Sequence, residues 1–329
     1  MKLATFRLLC TSLTCVALAG EPQWVTFEGA RGPGRGKTIV LVTGDQEYRS
    51  EELMPQLAKI LATHHGFRTT VLFPINRATG EIDPMTMDNV PGLELLTQAD
   101  LMVIFARFLE LPDEQMQHIL DFTNSGKPIV GLRTSTHAFN YRNRKNSPYA
   151  RYSYNSKDPE GGWGRWVLGE TWINHYGDHE KESTRGWVAE GMAGHPILRG
   201  VRDVWGPSDV YGITSLPPDA KPLLLGQVLR GMNPTDPPNI AKRLVPVAWT
   251  RTFTGLEGKP ARVFATTMGH AGDLKNEGFR RLLVNACYWA LGMEDKIPAR
   301  SRADLVGTYE PNPIHMKKHK TGVRPASLR

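Results

Sequence analysis

Cysteine is scarce in this chain of 329 residues. There are three, and Cys10 and Cys15 fall within the first twenty positions, so removal of an N-terminal leader leaves Cys287 alone and excludes an intrachain disulfide. Long apolar runs are missing as well: beyond the leader no stretch reaches the roughly eighteen apolar residues of a membrane-spanning helix. Charge of one sign is absent from the body. The formal net charge is +7, but Lys2 and Arg7 carry part of it, and positions 295–329 hold eight basic residues against three acidic ones, which leaves the remainder neutral. A neutral body has no stripe that could track phosphates, so no nucleic-acid partner is expected. The string Gly32-Pro33-Gly34-Arg35-Gly36-Lys37-Thr38 has Arg31 where a phosphate-binding loop needs its first glycine, and it precedes an apolar run instead of following one. No nucleotide cofactor is expected.

What is present begins with a targeting signal. Lys2 and Arg7 lead into a largely apolar run over 8–19 that ends Ala17-Leu18-Ala19, which predicts a signal peptide at 1–19 and a periplasmic or secreted protein. Residues 20–37 are rich in Gly and Pro and read as a leader. From position 38 short apolar runs alternate with amphipathic stretches, the pattern of an α/β domain with a mainly parallel sheet and helices on both faces. Strands are predicted at 38–43, 67–73, 100–105 and 127–132. Helices are predicted from Ser50 to a stop at Gly66, and from about 112 to 126. Periodicity is lost over about 141–206, where five of the eight tryptophans lie, so this reads as a Trp-rich insertion over the sheet. Apolar runs resume at 222–229, 244–249 and 262–267. Phe279, Leu282, Leu283, Ala286, Cys287, Ala290 and Leu291 then mark a last amphipathic helix, with Cys287 an inert core residue on its buried stripe. The domain is placed at 38–295, and 296–329 reads as a basic disordered tail.

Ligands of open parallel sheets bind beyond the carboxyl ends of the strands. Four such ends carry polar groups: Glu47, Tyr48 and Arg49 after the first, Arg107 and Glu110 after the third, Arg133 to His137 after the fourth, and His270 and Asp273 after the last. Helix capping accounts for Ser50, Thr134 and Asp273 but not for His137 or His270. His64, His65 and His118 are assigned to helix surfaces, and His315 and His319 to the tail. His175 and His179, spaced i, i+4 in a loop, join His137 and His270 as candidates for a divalent ion such as zinc or for hydrogen bonds to substrate. The metal set is taken as His175, His179 and His270.

Several segments in order resemble the ThuA-like (trehalose utilisation) family. They are Val40-Leu41-Val42-Thr43-Gly44, Val130-Gly131-Leu132-Arg133-Thr134-Ser135-Thr136-His137-Ala138-Phe139, Gly194-His195-Pro196-Ile197, Ser208-Asp209-Val210-Tyr211-Gly212 and Thr267-Met268-Gly269-His270. The resemblance spans roughly 38–295. It implies a flavodoxin-like domain of the class I glutamine-amidotransferase-like superfamily and a link to disaccharide catabolism, including sugars oxidised at carbon 3. A glutamine amidotransferase needs a nucleophilic cysteine in the turn after its strand; here that turn runs from Arg133 to His137 without one, so that activity is not expected. The expected function is cleavage of a 3-keto-glycoside, as hydrolase or lyase. Glu47 or His137 is the base, Arg107 and Arg133 or a metal stabilise an enolate, and Asp209 and Tyr48 hold the hydroxyls of a small-molecule sugar substrate. The alternative is a non-catalytic carbohydrate-binding protein whose tryptophans stack on pyranose rings.

Overall fold

The computed structural model describes residues 22–329; the predicted signal peptide lies outside them. Five strands run parallel: β2 (Thr38–Gly44), β3 (Arg68–Leu72), β4 (Leu101–Ala106), β5 (Ile129–Leu132) and β10 (Pro260–Thr266). Around them lie β1 (Trp24–Phe27), β6 (Ser183–Val188), β7 (Trp205–Gly206), β8 (Lys221–Leu229) and β9 (Val245–Thr254). All ten form one sheet in the order β1-β3-β2-β4-β5-β10-β9-β8-β6-β7. Taken in chain order, the parallel strands are arranged 2-1-3-4-5, the flavodoxin-like order, and the direction of winding reverses between β2 and β4.

Alternate side chains of the central strands serve two cores. Ile39 and Leu41 of β2 face the layer of α1 (Ser50–His65) and α3 (Glu277–Ala290), whereas Val40 and Val42 face α2 (Asp113–Asn124). Helices therefore cover both faces, and strands buried on two sides must be apolar at nearly every position. α1 stops at Gly66, whose φ of 79° suits a residue without a Cβ. Asn276 caps α3 by accepting from the Phe279 N–H at 2.8 Å. Cys287 is fully buried on that helix, and burial pushes its thiol up to about 12, so it is chemically inert.

The expectation of a mainly parallel sheet does not hold. Four pairings are parallel and five antiparallel. The cause is connection length: parallel neighbours need a crossover, but β9 and β10 are joined by a short turn over 255–259, and β8 reaches β9 with no helix between. The segment 141–206 is divided in its role. Its first half does lie over the sheet, where buried Trp163 donates to Thr123 Oγ1 at 3.1 Å, but its second half supplies β6 and β7. The leader likewise contains β1, paired with β3.

Residues 296–329 are not a disordered tail among the described residues. Ile297, Ala303 and Ile314 are buried, Arg281 Nε donates to Ser301 O at 2.9 Å, Ser301 Oγ donates to Asn285 at 2.6 Å, and the Ile82 N–H donates to Val323 O at 2.8 Å. Composition suggested disorder because it counts charges, whereas this segment is held by its backbone carbonyls and a few apolar side chains. No helix of the described residues is long and apolar enough to cross a membrane.

His65, expected on a helix surface, is also buried. It donates from Nε2 to Arg302 O at 2.7 Å, and its Nδ1 lies 3.1 Å from the Tyr288 hydroxyl. Burial pushes its pKa down to about 4. Below pH ~6.5 the unfolded chain therefore binds a proton that the folded chain refuses, and stability falls as pH drops toward 4, on the order of 2–3 kcal/mol from this one group. Urea unfolding between pH 7 and 4 is expected to show this slope, and His65→Gln is expected to flatten it.

Candidate functional site

The cluster forms at the reversal point between β2 and β4. Past β2 the chain turns sharply: Ser50 Oγ accepts from the N–H groups of Gly44 (3.1 Å) and Asp45 (3.0 Å), so Ser50 braces the turn instead of capping α1. Asp45 Oδ1 accepts from the Glu47 N–H at 2.7 Å, and its Oδ2 accepts from Thr134 Oγ1 at 2.6 Å, which ties this loop to the turn after β5. Glu47 is thereby presented at the cleft, with Arg107 from the end of β4 at 3.3 Å.

The turn after β5 begins with Arg133 in the left-handed region at φ 45°, costly for a residue with a Cβ. Its side chain is fully buried. Nη1 donates to the carbonyls of Asp209 (2.6 Å) and Thr267 (2.8 Å), Nη2 donates to Asp209 Oδ1 (2.7 Å), and the guanidinium lies between the rings of Tyr211 (3.8 Å) and Tyr48 (4.4 Å). Asp209, equally buried, also accepts from His175 Nδ1 at 2.8 Å and His179 Nδ1 at 3.0 Å. Burial raises the pKa of this carboxyl, but Arg133 and the two imidazoles outweigh it and hold the group well below the usual range. His179 Nε2 reaches on to Glu47 Oε1 at 3.1 Å. Its bonds to Asp209 and Glu47 raise the imidazole to about 9, so it is a cation at neutral pH. Glu47, which burial alone would raise, is held below its ordinary value by His179 and Arg107 and is ionised. The result is a continuous array, Arg133–Asp209–His179–Glu47–Arg107.

The structure redistributes the roles expected from the sequence. Glu47, Arg107, His175 and His179 face the cleft. Arg133, Asp209 and Tyr48 lie beneath it, at most 1% exposed; the Asp209 carboxylate is taken up by Arg133 and the histidines, and both terminal nitrogens of Arg133 by Asp209 and the Thr267 carbonyl, so these three support the site without reaching substrate. His137 is buried among Phe108, Tyr154, Trp172 and Tyr211; burial, then the charges of Arg107 and Arg133, hold it far below its ordinary pKa, which suits a neutral wall and not a base. Of the expected metal set, His175 and His179 come together with Asp209 as third donor, their ligand atoms within 4.8 Å of one another, while His270 stands apart. His270 caps the short helix Ala271–Lys275, its Nδ1 accepting from the Gly272 N–H at 3.1 Å. Capping thus explains His270 after all.

Tyr211 and Trp172 escaped the sequence reading. Tyr211 sits two positions past Asp209, on the same side of an extended segment, and Trp172 three positions before His175. Both spacings were visible as signals that aromatic rings enclose the charged groups.

A flavodoxin-like α/β domain with a carboxylate–imidazole array at its reversal point defines the class of protein. The chain belongs to the ThuA family: the family model described as trehalose utilisation matches residues 39–290, which ties the protein to sugar metabolism. Among solved structures it is similar to a ThuA-like protein from Parabacteroides merdae (16% identity, 78% of this chain and 90% of that one covered, TM-score 0.48) and to another from Bacteroides uniformis (15%, 80% and 95%, 0.46). It is also similar to the glutaminase domain of Trypanosoma brucei CTPS (10%, 81% and 98%, 0.39). No curated protein matches significantly.

Removing one member of a buried ion pair strands the other charge and costs about 3–5 kcal/mol. Asp209→Ala and Arg133→Met are each expected to lose stability on this scale, and the double variant is expected to lose less than the sum of the two, as read by urea unfolding of all four proteins.

Proposed function

We propose that this protein cleaves a glycoside carrying a ketone at carbon 3 by abstracting the proton at carbon 2. The observation that carries the reading is the paired base and acid of the array: an ionised Glu47 beside a protonated His179, with Arg107 at the same edge.

A ketone acidifies the neighbouring C–H, so cleavage does not require the two carboxylates flanking the bond that ordinary glycosidases use. Glu47 takes the carbon-2 proton and the electron pair moves onto the ketone oxygen, where Arg107 offsets the enolate charge. Return of that pair forms the double bond between carbons 1 and 2 and breaks the bond from carbon 1 to the glycosidic oxygen, which takes a proton from His179. Asp209 holds His179 in orientation, and Arg133 holds Asp209. Addition of water to the double bond completes hydrolysis; its omission leaves a lyase.

The donor set of two cleft-facing imidazoles and a buried carboxylate fits a divalent ion such as zinc, held by His175, His179 and Asp209. Bound there, it would polarise the ketone oxygen and hold His179 as a neutral ligand, so the protonated His179 of the elimination above belongs to the metal-free protein. The rival reading, a carbohydrate-binding protein without catalysis, leaves the ionised Glu47 and the protonated His179 without a role; of the tryptophans it would use, Trp163 is buried and Trp166 is packed on Tyr152 and Phe253, while Trp187 is exposed. A signal peptide at 1–19 would deliver the protein to the periplasm or the exterior, and the mature chain recovered from its host is expected to start near Gly20.

With 3-keto-trehalose in deuterated water, label is expected at carbon 2 of the released keto sugar or of recovered substrate. Glu47→Gln is expected to lower kcat at least about 100-fold. Unchanged turnover in that variant, or cleavage of trehalose but not of its ketone, would sink the mechanism. If elemental analysis finds zinc in the wild type and the His118→Ala control, it is expected to be lost in His179→Ala, and His179 then serves as a neutral ligand in place of the acid; equal content in all three removes the metal.

A further inference from the structure

Beside the array lies a cavity of about 530 Å³, in the range that holds small ligands. Trp205, Pro207 and Met232 form one part of its wall, and Pro313 and Ile314 another. The latter two belong to the C-terminal segment, beyond the stretch that matches the family. The segment is fixed over the cavity at three points: Tyr309 Oη donates to Ala271 O at 2.8 Å, the Asn312 N–H donates to Glu52 Oε2 at 3.1 Å, and the His315 N–H donates to Glu47 O at 3.1 Å.

His270 also lines this cavity, and its Nε2 is buried without a hydrogen-bond partner. Because Nδ1 accepts from the Gly272 N–H, the proton of the neutral ring sits on Nε2, a buried donor that makes no well-formed hydrogen bond although the Asn312 backbone lies beside the ring. Burial, helped by the charge of Arg133, pushes this imidazole down to about 3, so it stays neutral. A ligand that suits the cavity brings an acceptor oxygen to Nε2, an apolar face to Trp205, Pro207, Pro313 and Ile314, and polar groups for Glu180, Lys275 and Asn312, which also line it. A pyranose ring has this combination of surfaces. The cavity also flanks the array: the His270 ring centroid is 6.4 Å from that of Tyr48, which in turn is 5.8 Å from that of His179.

We infer that this cavity is the subsite for the second ring of a disaccharide, with Trp205 under the apolar face of the ring and His270 Nε2–H donating to one of its oxygens. The inference rests on the reading of the adjacent cleft as a sugar site, and it makes the C-terminal segment a determinant of specificity. Equilibrium binding of unreacted sugars tests it apart from the chemistry. By calorimetric titration, trehalose is expected to bind the full-length protein at least about tenfold more tightly than glucose. Trp205→Ala is expected to reduce trehalose to the level of glucose without changing glucose itself, and Trp205→Phe to restore most of the difference. His270→Asn keeps a side-chain oxygen to cap Ala271–Lys275 while removing the Nε2 donor, and it is expected to act like Trp205→Ala. Equal affinity for the two sugars in the wild type, no binding at millimolar trehalose, or a preference that survives either Trp205→Ala or His270→Asn would overturn the subsite. If the preference behaves as expected but a keto-disaccharide is not cleaved, the subsite stands and the elimination mechanism alone fails.

Discussion

The site depends on one buried ion pair. Arg133 and Asp209 meet where neither can reach water, and a charge in that position is tolerable only with its counterion and a full set of hydrogen bonds. The surrounding structure supplies the counterion and all the hydrogen bonds but one, Arg133 Nε being buried without a partner. The Thr267 carbonyl takes one guanidinium N–H, two tyrosine rings cover its faces, and the Asp209 carboxylate divides its oxygens between the guanidinium and two imidazoles. The chain even accepts a left-handed Arg133 to bring this about, and Gly269 runs so close that a Cβ there would lie 3.1 Å from that of Arg133. The cation-holding character of His179 and the ionised state of Glu47 both descend from this anchor.

The turn after β5 points its first side chain inward, to be bound by protein. The partly exposed groups of the array come instead from the neighbouring loops, at the ends of β2 and β4 and in the segment 175–179.

The parallel half of the fold was legible because each of its strands is buried on both faces and followed by a turn or helix with its own signals, such as Gly66 after α1. The antiparallel half was less so. β6 and β7 are short and partly exposed, and nothing local marks them as strands; β6 exists because β8 offers it an edge, and β7 because β6 then offers the next. Among the residues of the array, strand-end position singled out Glu47 and Arg107, and residue type with i, i+4 spacing singled out His175 and His179. They could not separate groups that face the cleft from groups that hold them, since Arg133 and Asp209 look as accessible in sequence as Arg107 does. His270 shows the same limit: a histidine at a strand end is equally a cap and a ligand until its ring nitrogens have been given partners.

The anchoring of the C-terminal segment also bears on how the molecule is made. Arg49 donates to the His315 carbonyl, a contact between positions 266 residues apart, while the loop that carries Glu47 is among the first parts of the domain to be synthesised. During synthesis the central strands have partners long before that loop has its last one, so the edge that carries Glu47 stays incomplete until the distal segment has docked. A chain truncated before this segment would keep the strands of its sheet and lose the contacts that finish this edge, which couples the geometry of the array to the far end of the polypeptide.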